Sequence, residues 1–305
     1  MAKKPSLSAS SISDLRTCQR LFYWRRVAGL RPIETPRVLR YGIAVHRFLE
    51  DLGNGKHKDI CFNSLKEEYP EGGDDYCRAV AMCEAYIKEW GQPDKEWDYI
   101  ENEIKWTVDC GEYTITGRID AIVRERETGQ LWVVDHKTTS KVDMGFVDGL
   151  ARRIQTRLYC YVGIKALKQK VAGIIYNVLE KPGLRRLQAN SRRLQPEDDE
   201  QFIARLGDWY DKELRFSRFV RPIDQRDGEP TLQEVYESYK LLEYIKARDY
   251  WQPNDGQCHA YNRRCDFLSI CESGGVPGNP GDVAKTLYQK EERKVKDDII
   301  LPKRA

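Results

Sequence analysis

Apolar and polar residues recur with two different periods along this chain, and the changes of period divide it into helical and sheet-forming stretches. In residues 10–28, Ile12, Leu15, Leu21 and Phe22 fall close to helical spacing, with Ser10, Ser11 or Ser13 available to cap the start and Gly29 to end it. Beyond Pro32 and Pro36, residues 37–52 carry Val38, Tyr41, Val45, Phe48 and Leu49 as a second helix, stopped by Gly53 and Gly55. Residues 75–90 predict a third, with Val80, Cys83, Tyr86, Ile87 and Trp90 as its stripe and Gly91 and Pro93 breaking the chain. The period then drops to two. Across 99–108, Ile100, Ile104, Trp106 and Val108 alternate with Glu101, Glu103 and Lys105, the pattern of a half-buried strand whose glutamates face solvent. Residues 112–124 and 130–137 predict an antiparallel hairpin around the turn Glu127-Thr128-Gly129-Gln130.

Helix is expected again over 148–168, then a β-branched central strand over 171–179, then helices over 196–215 and 232–247. Residues 184–193 and 219–222 read as short connecting strands or loops. After Gly274 apolar residues thin out among Gly, Pro, Lys and Asp, so 276–305 is expected to be an extended or disordered tail. The result is an α/β chain with one elaborated domain, 1–275. It has a helical part at 10–95, a core of mixed sheet flanked by helices at 96–180, and C-terminal helices at 181–275.

Composition changes this picture only by exclusion. Among 305 residues no apolar run is long enough to span a bilayer and Met1 to Ser10 has no signal-peptide layout, so the expectation is a soluble, cytoplasmic protein without membrane contact. Nine cysteines without an export signal are expected to stay reduced, free to ligate a metal or a cluster. The net charge of +3 does not by itself mark a nucleic-acid binder.

The chemistry concentrates on the predicted hairpin. Asp120 ends Gly117-Arg118-Ile119-Asp120 and Asp135 ends Trp132-Val133-Val134-Asp135, so paired strands could bring both carboxylates to one sheet edge. Lys137, two residues beyond Asp135, shares its strand face, where an ammonium can orient water or offset developing negative charge. Two acids and a cation are the equipment of metal-assisted phosphodiester hydrolysis. His46 could add an imidazole from its helix, the carbonyl of His136 could face the ion, and Glu101 or Glu103 could supply another acid, although alternating glutamates normally mark a solvated face.

Together, Gly42-x-x-x-His46, Gly117-Arg118-Ile119-Asp120, Val133-Val134-Asp135-His136-Lys137-Thr138-Thr139 and Gln155-x-x-x-Tyr159 resemble the PD-(D/E)xK nuclease superfamily, with its restriction-endonuclease-like fold. Their order is similar to the RecB-like branch, which includes RecB and AddB nuclease domains, CRISPR-associated RecB-like exonucleases and phage recombination exonucleases. The Pro of the family's first motif is absent. The resemblance implies a Mg2+ or Mn2+ ion on His46, Asp120 and Asp135, with Lys137 catalytic and Gln155 and Tyr159 on the DNA backbone.

Near the chain ends, Cys258-x6-Cys265-x5-Cys271 forms a group of three and Cys18 stands alone. Thiolates suit iron-sulfur clusters or zinc, and for zinc His259 is a spare ligand. The pattern resembles RecB-like nucleases in which one N-terminal and three C-terminal cysteines hold a [4Fe-4S] cluster, although the gap after Cys258 is wider than the AddB-type spacing. That resemblance implies an iron-sulfur link between the N- and C-terminal helical segments. Cys61, Cys77, Cys83, Cys110 and Cys160 lack such spacing and read as ordinary thiols.

Arg20, Phe22, Tyr23, Trp24, Arg25 and Arg26 interleave cations with rings, a composition suited either to guiding a DNA strand or to core packing with solvated arginines. The function expected is a metal-dependent DNA exonuclease acting on single-stranded or duplex ends in phage or bacterial recombination or repair, alone or with a helicase, annealing or recombination partner. The alternatives are a catalytically idle DNA-binding module and a CRISPR-type DNA-processing nuclease.

Overall fold

A computed structural model describes residues 4–166, 171–189, 195–223, 228–260, 263–291 and 299–301. The chain opens with β1 (Ser6–Leu7), α1 (Ala9–Thr17), α2 (Gln19–Phe22), a π-helical turn (Tyr23–Val27) and β2 (Leu30–Pro32). Three helices follow, α3 (Arg37–Gly53), α4 (Lys58–Glu68) and α5 (Asp74–Trp90), then β3 (Trp97–Asp109), β4 (Thr114–Glu125) and β5 (Leu131–Thr139). Next come α6 (Met144–Arg152), α7 (Ile154–Ala166), β6 (Val171–Glu180), α8 (Asp199–Lys212) and β7 (Phe216–Pro222). The chain continues with α9 (Gly228–Arg248), α10 (Leu268–Glu272), α11 (Val283–Leu287), β8 (Tyr288–Lys290) and β9 (Ile299–Leu301). Among the described residues no helix is long and apolar enough to cross a membrane.

Contacts divide the chain into two units, Met1–Pro36 with Lys105–Gly117 and Arg226–Ala305, and Arg37–Ile104 with Arg118–Gln225. In the second unit the strands run in the order β7-β6-β5-β4-β3. β6 is parallel to β5 and antiparallel to β7, whereas β4 and β5 form the expected antiparallel pair. This is a mixed sheet. Helices cover it, because Tyr41, Val45, Phe48 and Leu49 of α3 pack with Cys83 and Tyr86 of α5, Phe202 and Leu206 of α8, and Leu179 and Phe216 from the strands. A second cluster joins Trp97, Ala121, Val123, Trp132, Val134 and Ile175. Gly173 lets β6 approach β7, since a Cβ there would stand 2.2 Å from the Arg221 carbonyl oxygen.

In the first unit β1 pairs in parallel with Thr114 and Ile115 of β4, and β9 pairs in parallel with Trp106, Thr107 and Val108 of β3. β2 and β8 form a small antiparallel ribbon, over which Trp24, Leu30, Phe267, Ile270, Ala284 and Tyr288 make a separate apolar cluster.

Several elements differ from the sequence expectation. The helix expected over 10–28 is capped by Ser8, not by a later serine, and breaks at Cys18, whose backbone is extended (φ −164°, ψ 124°). The helix expected over 148–168 begins earlier and is interrupted at Arg153, again extended (φ −64°, ψ 136°), and residues 167–168 lie outside the described ones. α4 was not expected, because only Cys61, Ser64 and Leu65 of its short polar sequence are buried. Residues 219–222 belong to the full strand β7, whereas the described part of 184–193 forms no strand. The tail carries α11, β8 and β9, and Ala284 and Tyr288 supply apolar anchors that the thin composition hid; 292–298 and 302–305 lie outside the described residues.

Candidate active site

The hairpin brings the two aspartates together by register. Ala121 pairs with Val134, so Asp120 and Asp135 are the next residues on each strand and leave the same face. Asp120 is tied further to β5, because the His136 backbone N–H donates to its Oδ2 at 2.8 Å. Lys137 donates to Asp135 Oδ1 at 2.7 Å and lies 2.6 Å from Oδ2, gripping a carboxylate that is almost wholly buried. Burial and the charge of Asp120 push the Asp135 carboxyl above its ordinary range, and the Lys137 ammonium opposes them.

α3 and α7 complete the cluster. His46 Nδ1 is 3.5 Å from Asp120 Oδ2, and its ring meets the His136 ring edge to face at 5.8 Å. Gln155 Nε2 donates to Tyr159 Oη at 2.7 Å and reaches Asp135 Oδ1 at 3.4 Å, as the one-turn spacing on α7 allows. Burial raises the Tyr159 hydroxyl far above its usual range, so it stays a neutral phenol. His136 is also kept neutral, since burial depresses its imidazole to about 3. Asn177 Nδ2 donates to His136 Nδ1 at 2.9 Å, which leaves the ring proton on Nε2, and also to Tyr86 Oη at 2.9 Å.

One residue joins this group that the alternation of β3 placed on the solvated side. A ring nitrogen of His46 and one carboxylate oxygen each from Glu103 and Asp120 lie within 4.8 Å of one another. Glu103 reaches that position because its backbone is left-handed (φ 52°), which slips the phase of β3. Trp97 is buried before the slip, Ile104, Trp106 and Val108 after it, and Ile100 is exposed. The conflict was visible in the sequence: Trp97 and Tyr99 occupy odd positions and the later apolar residues even ones, so a straight strand cannot bury both sets. Holding a glutamate in this conformation costs about 1–3 kcal/mol, and its carboxylate also pairs with Arg118 Nε at 2.9 Å.

Imidazole nitrogen and carboxylate oxygen are donors that a divalent cation takes, so this trio fits a metal ion. Asp135 lies beside it, with its carboxylate on Lys137.

The four cysteines singled out at the chain ends come together in the first unit. Cys18, Cys258, Cys265 and Cys271 line one cavity of about 260 Å3, walled by Leu21, Trp24, Phe267 and Leu268. The extended residue that breaks α1 from α2 is Cys18 itself. Asn254 Nδ2 donates to the Thr17 carbonyl at 2.8 Å, and the Gln252 N–H to Gln19 Oε1 at 3.0 Å, tying the C-terminal loop to that break. Burial and the neighbouring thiols push Cys258 and Cys265 up. Among the described residues no three of these thiols approach within 4.8 Å, so they surround a space wider than the His46 trio.

The neighbouring run of cations and rings takes the packing alternative. Trp24 and Phe22 are buried, Phe22 stacks on Trp251 at 6.0 Å, and Arg25 and Arg26 pair with Asp14 and Asp266 instead of standing in solvent.

A family model of the PD-(D/E)XK nuclease superfamily matches residues 6–272. The chain belongs to that superfamily. The match takes in segments of both units and every residue of the clusters just described. No curated protein matches the chain. Among solved structures, a "Putative exonuclease" from Eubacterium rectale is 12 % identical, with TM-score 0.46, over 92 % of this chain and 92 % of that one. The protein SSO0001 is 12 % identical, with TM-score 0.37, over 90 % of this chain and 88 % of that one. The nuclease assignment rests on the family match.

Proposed function

We propose that this nuclease is a Mg2+- or Mn2+-dependent DNA exonuclease whose centre is Asp120, Asp135 and Lys137. The observation that carries the reading is the convergence of His46, Glu103 and Asp120 beside the Asp135–Lys137 pair. His46, Asp120 and Asp135 would hold the ion, with Glu103 and the His136 carbonyl as further oxygen donors. A divalent cation held there lowers the pKa of a bound water and shields the phosphate oxygens. Lys137 orients the attacking water and offsets charge on the phosphate as the bond breaks. Its grip on Asp135 keeps both side chains in place before substrate arrives. Gln155 and the neutral Tyr159 hydroxyl donate to the DNA backbone, contacts that position the strand without reading its bases.

A [4Fe-4S] cluster on Cys18, Cys258, Cys265 and Cys271 is the second part of the proposal. Such a cluster closes a loop of about 240 residues and restrains the unfolded chain as a long crosslink does. Zinc on these thiolates, with His259 as a spare ligand, is the competing reading. Residues 1–275 then work as one nuclease domain, in the reducing cytoplasm of a bacterial or phage-infected cell. The substrate is single-stranded or duplex DNA ends in recombination or repair, taken alone or with a helicase, annealing or recombination partner.

The direct assay incubates end-labelled linear and closed-circular DNA with the full chain and Mn2+. Release of label from linear DNA with circles left intact is the expected result. Asp135→Ala and Lys137→Ala are each expected to lower the rate by about 10³-fold or more, the scale of a lost charge-stabilising group. Equal inertness of wild type and both variants would instead favour an idle DNA-binding module, and cutting of circles an endonuclease.

A further inference from the structure

Arg118 and Asp120 stand two residues apart on β4, so their side chains leave the same face of the strand. The Arg118 side chain is 58 % exposed, and its Nε lies 2.9 Å from Glu103 Oε2. Glu103 is also one of the three groups that converge as a cation site. The same carboxylate therefore faces two positive partners, a guanidinium already in contact and the ion that the trio suits.

We propose that Arg118 is a phosphate-binding residue of the nuclease site, held beside the cation trio by Glu103 and able to swing to the DNA backbone. The inference rests on the nuclease reading above and adds to it a residue. A guanidinium presents two parallel N–H donors to a phosphate, and an exposed side chain can swing between carboxylate and phosphate without unpacking a core. The left-handed backbone fixes Glu103 toward the trio, so Arg118 is the partner that moves.

The test compares full-length wild type with Arg118→Met and Arg118→Lys in three measurements. Mn2+ binding by calorimetry without DNA is expected to tighten in R118M by about 2- to 10-fold, because a competing positive charge is gone. Binding of a labelled oligonucleotide with Ca2+ is expected to weaken about tenfold, and the slope of log Kd against log salt to fall by about 0.7–0.9, one phosphate contact. R118K is expected to keep the salt slope but recover only part of the cleavage rate, since an ammonium keeps the charge without the fork. Opposite signs for metal and DNA separate this role from a structural one, which would weaken both and lower the Tm. R118M matching an active wild type, or losing Mn2+ and DNA together, overturns the assignment of Arg118 alone. A wild type that neither binds nor cleaves DNA overturns the nuclease reading and this inference with it.

Discussion

At the scale of single residues, His136 shows how the site ties function to stability. Its imidazole is buried, accepts from Asn177 and is held neutral, with a folded pKa near 3 against an ordinary 6.5. Between those values the unfolded chain binds a proton that the native protein does not, so stability rises with pH across the window and is lost on acidification from about 6.5 toward 3. The slope from this residue is at most about 1.4 kcal/mol per pH unit. Urea unfolding at about pH 7, 6 and 5 is expected to show a shallower decline for His136→Gln than for wild type, and parallel declines would remove the role. The sequence made Asp120, Asp135 and Lys137 legible because a two-residue step and a hairpin turn fix which face a side chain takes. Glu103 was legible only as one of two candidate further acids, because its direction depends on one left-handed backbone torsion, betrayed in the sequence by the odd-to-even change of apolar positions alone.

At the scale of elements, helix periodicity found the long amphipathic segments α3, α5, α8 and α9 but ran through the breaks at Cys18 and Arg153. Neither break has a Gly or Pro to announce it, and the one at Cys18 is held by tertiary partners instead. At Cys18 the partners are the Asn254 and Gln252 bonds that bring the C-terminal loop onto the end of α1. The break has a chemical purpose if a cluster sits there, since an unbroken helix would carry the thiol past the other three. Anaerobically purified protein is expected to be brown with about four iron atoms per chain, absorbing broadly near about 400 nm, and Cys18→Ser to lose both iron and colour. Colourless wild type with one zinc, or a Cys18→Ser protein that keeps its iron, would contradict the [4Fe-4S] proposal.

At the scale of the whole molecule, composition told least. A net charge of +3 gave no sign of a nucleic-acid substrate, and the apolar fraction fitted almost any folded protein. Order along the chain told most, because the His46, Asp120, Asp135–Lys137 and Gln155–Tyr159 elements meet in one unit although they come from two helices and two strands. The interleaving of the two units, one of them assembled from three stretches, depends on pairings such as β2 with β8 that no local pattern reveals. The family match ties those stretches to one superfamily, and His46, Glu103 and Asp120 converge as donors that a divalent cation takes. Anomalous diffraction from crystals of the full chain soaked in Mn2+ tests that placement most directly. The predicted result is a peak about 2.0–2.4 Å from a His46 ring nitrogen and from carboxylate oxygens of Asp120 and Asp135, with Glu103 as a further donor and Lys137 alongside. A strong peak elsewhere, with those side chains unliganded at saturating Mn2+, would contradict the account.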